Sequence, residues 1–196
     1  NSEFDQFAGN YDQTLCDALN AYGLAGNDFF KRRIEEITYF FHTNGLKAPE
    51  RILDFGCGTG GHLKPLAQAF PNAQIVGIDT SEASIDLAKK ACEGIAKAVK
   101  YDGHELPSAI ANLDLVVFAN VFHHIDRSDH QRVLLMLRKA MNSDGIIAMF
   151  EHNPINPVTR KFVRDCPLDV GVKLLWPRYS KKLFSGAKVF SVQFRF

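Results

Sequence analysis

Apolar runs that end in acids alternate, along most of this chain, with segments whose apolar positions recur every three or four residues. Phe30, Ile34, Ile37 and Phe41 are spaced by four, three and four residues, which builds one helical face over about 28–43. Asp28 is placed to cap that helix and Asn44-Gly45 to end it. A buried strand follows at about 51–55, then a glycine-rich turn and an apolar helix over 62–70 whose Pro65 sits in the first turn, where its missing N–H is tolerated. Residues 74–79 form a second strand, Ser81 caps a helix over 82–93, and 99–102 is a short third strand. Residues 113–119 are continuously apolar, as a strand buried on both faces should be. Asp126 or Ser128 opens a helix that turns Val133, Leu134, Leu137 and Met141 inward, and 145–150 is a fifth strand. Strands alternating with helices at this spacing predict an α/β fold: a doubly wound, mostly parallel sheet with helices on both faces.

Past residue 156 the order changes. Asn156-Pro157 supplies an N-cap and a first helical position for a helix to about 166, and a second helix runs over about 178–184. Phe190, Val192, Phe194 and Phe196 then alternate with polar residues, as in a half-buried strand.

Composition narrows the class. At 196 residues, 46% hydrophobic and 23% charged, the chain has the make-up of a globular domain able to bury a full core. No stretch reaches the roughly 18 apolar residues of a membrane span, and there is no signal-peptide core at the N-terminus. Asn1 rather than Met opens the sequence, so a native beginning is expected to be missing. Cys16, Cys57, Cys92 and Cys166 lack metal spacing and suit reduced thiols in a cytoplasmic protein. Net charge is +1, but 157–196 hold nine Lys/Arg against two Asp while 1–156 hold fourteen against twenty acids. That asymmetry suits either a solvated basic face or an anionic acceptor. Nothing in it calls for nucleic acid.

The chemistry concentrates in Ile52-Leu53-Asp54-Phe55-Gly56-Cys57-Gly58-Thr59-Gly60-Gly61. Four glycines in six residues exceed what a turn needs, and suit a backbone that passes close under a ligand at positive φ. Two cofactors compete for it. Gly56, Gly58 and Gly61 fit the dinucleotide pattern G-x-G-x-x-G. Asp54, Gly56, Gly58 and Gly60 fit the acid-x-G-x-G-x-G pattern of the class I S-adenosylmethionine-dependent methyltransferases.

The rest of the chain resembles that second family over roughly 48–152, because polar residues close successive strands: Asp54, Asp79, Asp102, Asn120 and Glu151. In doubly wound sheets ligands sit at those ends. Such positions are expected to lie outside the core. The resemblance implies that the Gly56–Gly60 loop, with Cys57 contributing backbone, passes under the methionine part of S-adenosylmethionine. Asp54 would orient the loop or bind the amino group, and Asp79 would accept from both ribose hydroxyls. Thr80 would flank the adenine, Asp102 and Gly103 would take its edge, and Asn120 would lie near the sulfonium. Tyr11, in an F-D-x-x-A-x-x-Y-D opening like that of many relatives, would cover the cofactor. Residues 1–47 would form an N-terminal helical cap or lid and 48–196 the cofactor-binding core. The family closes its sheet with an antiparallel hairpin, of which one strand is legible here. The C-terminal hairpin is thus expected to be incomplete, by truncation or by an unusual sheet edge.

The implied reaction moves a methyl group from a sulfonium to an O, N or C nucleophile. It needs alignment, a water-poor site and often a base. His123, His124, Glu151 and His152 follow strands four and five and are the candidates; His123 is placed first for its near-neutral titration, with Glu151 as the second catalytic candidate. His124, His152 and Arg160 are assigned to the acceptor. Adjacent residues on a helix do not share a face and no third ligand is apparent, so no metal site is expected. The stretch Phe150-Glu151-His152-Asn153-Pro154-Ile155-Asn156-Pro157-Val158-Thr159-Arg160 resembles the F-E-H-N-P-x-N-P-x-T-R of a bacterial subgroup. Asn120-Val121-Phe122-His123 is not the N-P-P-Y type used on amide or base exocyclic nitrogens, which makes a small-molecule or lipid-like acceptor the default, with no nucleic acid expected. The oligomeric state stays open. Two other readings compete: an NAD(P)-dependent oxidoreductase, and a non-catalytic scaffold on the same fold.

Overall fold

The computed structural model describes residues 8–10, 14, 17 and 26–186. Strands β1 (Arg51–Phe55), β2 (Gln74–Asp79), β3 (Lys97–Lys100), β4 (Leu113–Ala119) and β5 (Met141–Phe150) form one sheet in the order β3-β2-β1-β4-β5. Every neighbouring pair is parallel. The chain works outward from β1 to β3, then returns to lay β4 against the other side of β1. That reversal puts the switch point, where such sheets bind ligands, between the carboxyl ends of β1 and β4. The helices are α1 (Gly26–Thr43), α2 (Leu63–Ala69), α3 (Glu82–Ala91), α4 (His130–Ala140), α5 (Pro157–Asp165) and α6 (Pro177–Gly186). Among the described residues no helix is long and apolar enough to cross a membrane.

The two-residue period of the strands sorts the core into two layers. Ile52, Ile75, Leu115 and Val117 join Ile34, Ile37 and Phe41 of α1, Leu63 and Leu66 of α2 and Ile85 of α3 on one face. Leu53, Ile78, Val116 and Phe118 join Val133, Leu134 and Leu137 of α4 and Phe184 of α6 on the other. Each such side chain contributes roughly 1.5–3 kcal/mol by leaving water. The apolar stripe of α1 lies inside the first layer.

Ser81 and Asn156 cap α3 and α5 as their sequence positions predict, accepting from Ser84 N at 3.1 Å and Val158 N at 2.8 Å. Other boundaries differ for identifiable reasons. The third strand ends at Lys100, not Asp102, because the Asp102 carboxylate accepts from the amides of His104 and Glu105 and turns the chain out of the ladder. Neither Asp126 nor Ser128 opens α4; it begins at His130, and Asp129 at its N-cap makes no capping bond but holds Arg132 Nε at 3.0 Å. Met141 is the first residue of β5, opposite Leu113, so β5 starts before residue 145 and a register shift between Leu113 and Leu115 takes up the difference. α1 begins at Gly26, which places Asp28 inside it. Tyr11 and the expected strand of 190–196 lie outside the described residues.

Candidate active site

A cavity of about 370 Å³ opens at the switch point. One end is bounded by Gly56, Gly58, Asp79, Thr80 and Gly103, the other by His124, His152 and Asp169, with Asn120 between them. Phe162 of α5 and Leu168 supply an apolar wall at the second end.

The first end is built from backbone. Gly56, Gly58 and Gly60 have φ of +73°, +53° and +91°. The amides of Gly56 and Cys57 donate to Ile78 O at 2.8 and 2.9 Å, which ties the loop to β2. A Cβ on Gly56 would stand 2.5 Å from Val121 Cγ2, whereas one on Gly58 would meet nothing within 4 Å and project into open space. The Asp79 carboxylate completes the loop: Oδ2 accepts from Gly58 N and Oδ1 from Ser81 N, both at 2.9 Å.

Beneath the loop lies a polar group that the sequence places at a strand end and the fold places in the core. Asp54 is 1% exposed, its Oδ2 has no hydrogen-bond partner, and it does not line the cavity. Burial, then the charge of Asp79, push its pKa up to about 7 against the pull of Arg33. His62 faces it at 3.8 Å, and burial with the charge of Arg33 lowers that imidazole to about 3. Arg33 Nη1 stands 3.3 Å from His62 Nε2. Strand-end polar residues were expected to avoid the core, and Asp54 does not, because its alternation points it at α1 and α2.

The second end hangs on Glu151. Its Oε1 accepts from Val121 N at 3.2 Å and Phe122 N at 2.8 Å, and its Oε2 meets His123 Nδ1 at 2.5 Å. One carboxylate just past β5 thereby fixes the 3-10 turn Phe122–His124 that follows β4. Asn120 starts that excursion at φ +58°, a conformation Asn tolerates better than most residues. His130 holds the same turn from below, its Nε2 2.8 Å from Phe122 O and 2.9 Å from Ile125 O.

Asp169, in the 3-10 turn Pro167–Asp169, gathers three histidines. Its Oδ1 lies 3.4 Å from His123 Nε2 and 3.6 Å from His124 Nε2, and its Oδ2 3.5 Å from His152 Nε2. The His123 contact is close enough for an ion pair but out of line for a hydrogen bond. Burial would depress His123, yet Asp169 and Glu151 outweigh it and raise the imidazole to about 9. Burial and the neighbouring charge of His123 lower His124 to about 4. Burial opposes ionisation of Asp169, and His123 and His152 still hold its carboxyl well below the usual range.

Of the residues singled out in the sequence, Gly56, Gly58, Asp79, Thr80, Gly103, Asn120, His124 and His152 line the cavity. Asp54, Cys57, Gly60, Asp102, His123, Glu151 and Arg160 do not. Arg160 is exposed on α5, and the residues of that helix on the cavity wall are Phe162 and, at its end, Cys166. His123 and Glu151, expected as bases, occupy each other and stand behind the lining. Sequence reasoning missed Asp169, His62 with Arg33, and the Asp129–Arg132 pair that lines the first end. Asp169 carried no motif; the basic 157–196 segment drew attention to its cations instead.

Comparison with known proteins agrees with this architecture. A family model described as a methyltransferase domain matches residues 52–145. The chain is 28% identical over 159 residues to demethylmenaquinone methyltransferase of Thermotoga maritima, covering 81% of this chain and 63% of that protein. It is 41% identical over 102 residues to malonyl-(acyl-carrier protein) O-methyltransferase of Legionella pneumophila, covering 51% of this chain and 35% of that one. It therefore spans less than two thirds of either relative. A solved SAM-dependent methyltransferase of Thermotoga maritima shares the fold at TM-score 0.70 and 15% identity, over 94% of this chain and 78% of that one. Magnesium protoporphyrin IX methyltransferase of Synechocystis does so at 0.60 and 17%, over 80% and 72%. Residues 52–145 thus match a methyltransferase-domain model, and the chain shares the fold of solved methyltransferases.

Proposed function

We propose that this protein transfers the methyl group of S-adenosylmethionine to a small-molecule or lipid-like acceptor bound in the second end of the cavity. The observation that carries this is the division of one cavity into two chemically different halves. The first half is glycine backbone with Asp79 and the Asp129–Arg132 pair, and the open space over Gly58 is the cradle a Cβ would fill. The Gly56–Gly60 loop would lie under the methionine part. Asp79 would take the ribose hydroxyls, and Thr80 and Gly103 would flank the adenine. Asn120 would stand near the sulfonium. Asp54 would act through the loop, since it is buried beneath it.

The cofactor supplies an electrophilic methyl group with a neutral leaving group. The chain's task is alignment and exclusion of water. Phe162 and Leu168 suit the apolar body of an acceptor, while His124, His152 and Asp169 face its protic end. Among the described residues the one cation on the cavity wall is Arg132, at the cofactor end. The free thiols Cys57, Cys92 and Cys166 support a reducing, cytoplasmic setting.

Calorimetric titration with S-adenosylmethionine and, separately, NADH tests the reading in wild type and Asp79→Ala. S-adenosylmethionine alone should bind. The variant should weaken it at least about 10-fold, the loss of roughly one charge-assisted hydrogen bond. Binding of NADH instead, or an unchanged affinity in Asp79→Ala, would overturn it.

A further inference from the structure

The second end of the cavity holds a donor set that methyl transfer alone does not require. His123, His152 and Asp169 come from three separate segments, after β4, after β5 and after α5. One donor atom from each lies within 4.8 Å of the others. His123 Nε2 stands 3.4 Å from Asp169 Oδ1 and His152 Nε2 3.5 Å from Asp169 Oδ2, so each imidazole faces a different oxygen of one carboxylate, at a spacing that two donors to one ion can have. Metal–ligand bonds of about 2.0–2.1 Å arranged tetrahedrally give edges of roughly 3.3–3.5 Å.

A second observation points the same way. His123 is 3% exposed, and its Nε2 is a buried polar atom without a hydrogen-bond partner, 3.4 Å from Asp169 Oδ1. Its other nitrogen is committed to Glu151 Oε2. With Nδ1–H donated to that carboxylate, a metal ion would displace the Nε2 proton and take the lone pair freed there. An imidazole oriented by a carboxylate behind it is the arrangement that surrounds metal-bound histidines. Charge agrees too: two carboxylates, Glu151 and Asp169, flank one buried ring, and a divalent cation among neutral imidazoles balances them.

We propose that His123 Nε2, His152 and Asp169 hold a divalent cation of the zinc class, with a fourth position open to the cavity for the acceptor's oxygen or nitrogen. Nitrogen and carboxylate donors suit that class of ion, and three protein ligands with one open position mark a catalytic site, not a structural one. His152 and Asp169 line the cavity while His123 stands behind them, so the open side faces the acceptor. The role assigned to the ion rests on the methyl-transfer reading. Coordination would lower the acceptor's proton affinity. Its proton would leave to solvent or to His124, which also lines the cavity. The freed lone pair would form the new bond to the methyl carbon as the carbon–sulfur bond breaks, with that electron pair staying on sulfur.

The test titrates chelator-washed protein with zinc by calorimetry and counts bound metal after dialysis. Wild type should retain one ion per chain. His152→Ala and Asp169→Asn should weaken zinc binding at least about 100-fold. Glu151→Gln, which keeps an oxygen for the amides of Val121 and Phe122 but removes the carboxylate charge behind His123, should weaken it about 10–100-fold. Titration of each sample with S-adenosylmethionine reports that the variants are folded, since the cofactor half shares none of these side chains. No stoichiometric zinc in wild type, or zinc affinity indifferent to Asp169→Asn, overturns the site. Zinc bound without S-adenosylmethionine binding would keep the metal site and sink the methyl-transfer reading; the converse result would do the reverse.

Discussion

Asp54 Oδ2 stands 3.8 Å from His62 Nδ1 in a part of the core where the two residues are 1% and 5% exposed. Their shifts oppose each other. Asp54, raised to about 7, contributes stability that is full below its unfolded pKa and is lost as pH rises through 7. His62, lowered to about 3, contributes stability present above its unfolded pKa and lost as pH falls toward 3. Between about pH 4 and 6.5 the folded pair binds one proton, and so do the two unfolded groups together, so the slopes nearly cancel. Separating the pair should expose them. His62→Asn should lose stability as pH rises from 4 to 7, by on the order of 3 kcal/mol, and Asp54→Asn should gain stability over the same range. Urea unfolding at four pH values checks this. A His62→Asn stability that is flat with pH would show that Asp54 is ionised throughout.

His130 Nδ1 lies 2.9 Å from the Tyr179 hydroxyl, while its Nε2 faces the carbonyls of Phe122 and Ile125. Two carbonyls can only accept, so Nε2 carries the proton and Nδ1 accepts from Tyr179. Tyr179→Phe removes that donor and should cost about 1 kcal/mol. His130→Ala should cost more, because His130 is 1% exposed and two carbonyls lose their partner. As the same ring supports the turn that carries His123 and His124, His130→Ala should also weaken zinc binding, whereas Tyr179→Phe should not. Thermal unfolding and zinc titration separate the two effects. Equal loss of zinc affinity in both variants would mean that α6, not the ring, positions the turn.

The strand alternation, the glycine loop and the acids at strand ends were legible because they are local. Leu53 and Ile52 must face opposite layers, and Gly56 with Gly58 has few uses other than a close turn. What was not legible depends on which distant segments the fold brings together. Asp169 is an ordinary turn acid until α5 carries it back over β4 and β5, where it meets His123 and His152. Asp54 reads as a ligand-facing acid until the alternation of β1 turns it toward Arg33 and His62. Arg160 stood out for its charge, but α5 turns Phe162 to the cavity and leaves Arg160 exposed. Side-chain direction decided each of these, and that follows from helix phase and strand register.

Gly56 and Gly58 both have positive φ, and the reasons that each must be glycine are different. An alanine at 56 would bring Cβ to 2.5 Å from Val121 Cγ2, on the strand-four side of the loop, in addition to the backbone strain at φ +73°. Gly56→Ala should therefore destabilise the fold by about 2–4 kcal/mol, the sum of overpacking and left-handed strain. Trimming the obstacle with Val121→Ala in the same chain should recover the steric part, so the two substitutions should couple favourably in a double-mutant cycle. At Gly58 the same Cβ meets nothing within 4 Å. Gly58→Ala should cost only the strain, about 1–2 kcal/mol, but its methyl group would project into the half of the cavity assigned to the cofactor. Its S-adenosylmethionine affinity should fall by more than its stability accounts for, and Val121→Ala should not restore it. Melting curves and cofactor calorimetry on wild type and the five variants would decide this. If Gly58→Ala binds S-adenosylmethionine as wild type does, the space above that glycine is not where the cofactor lies.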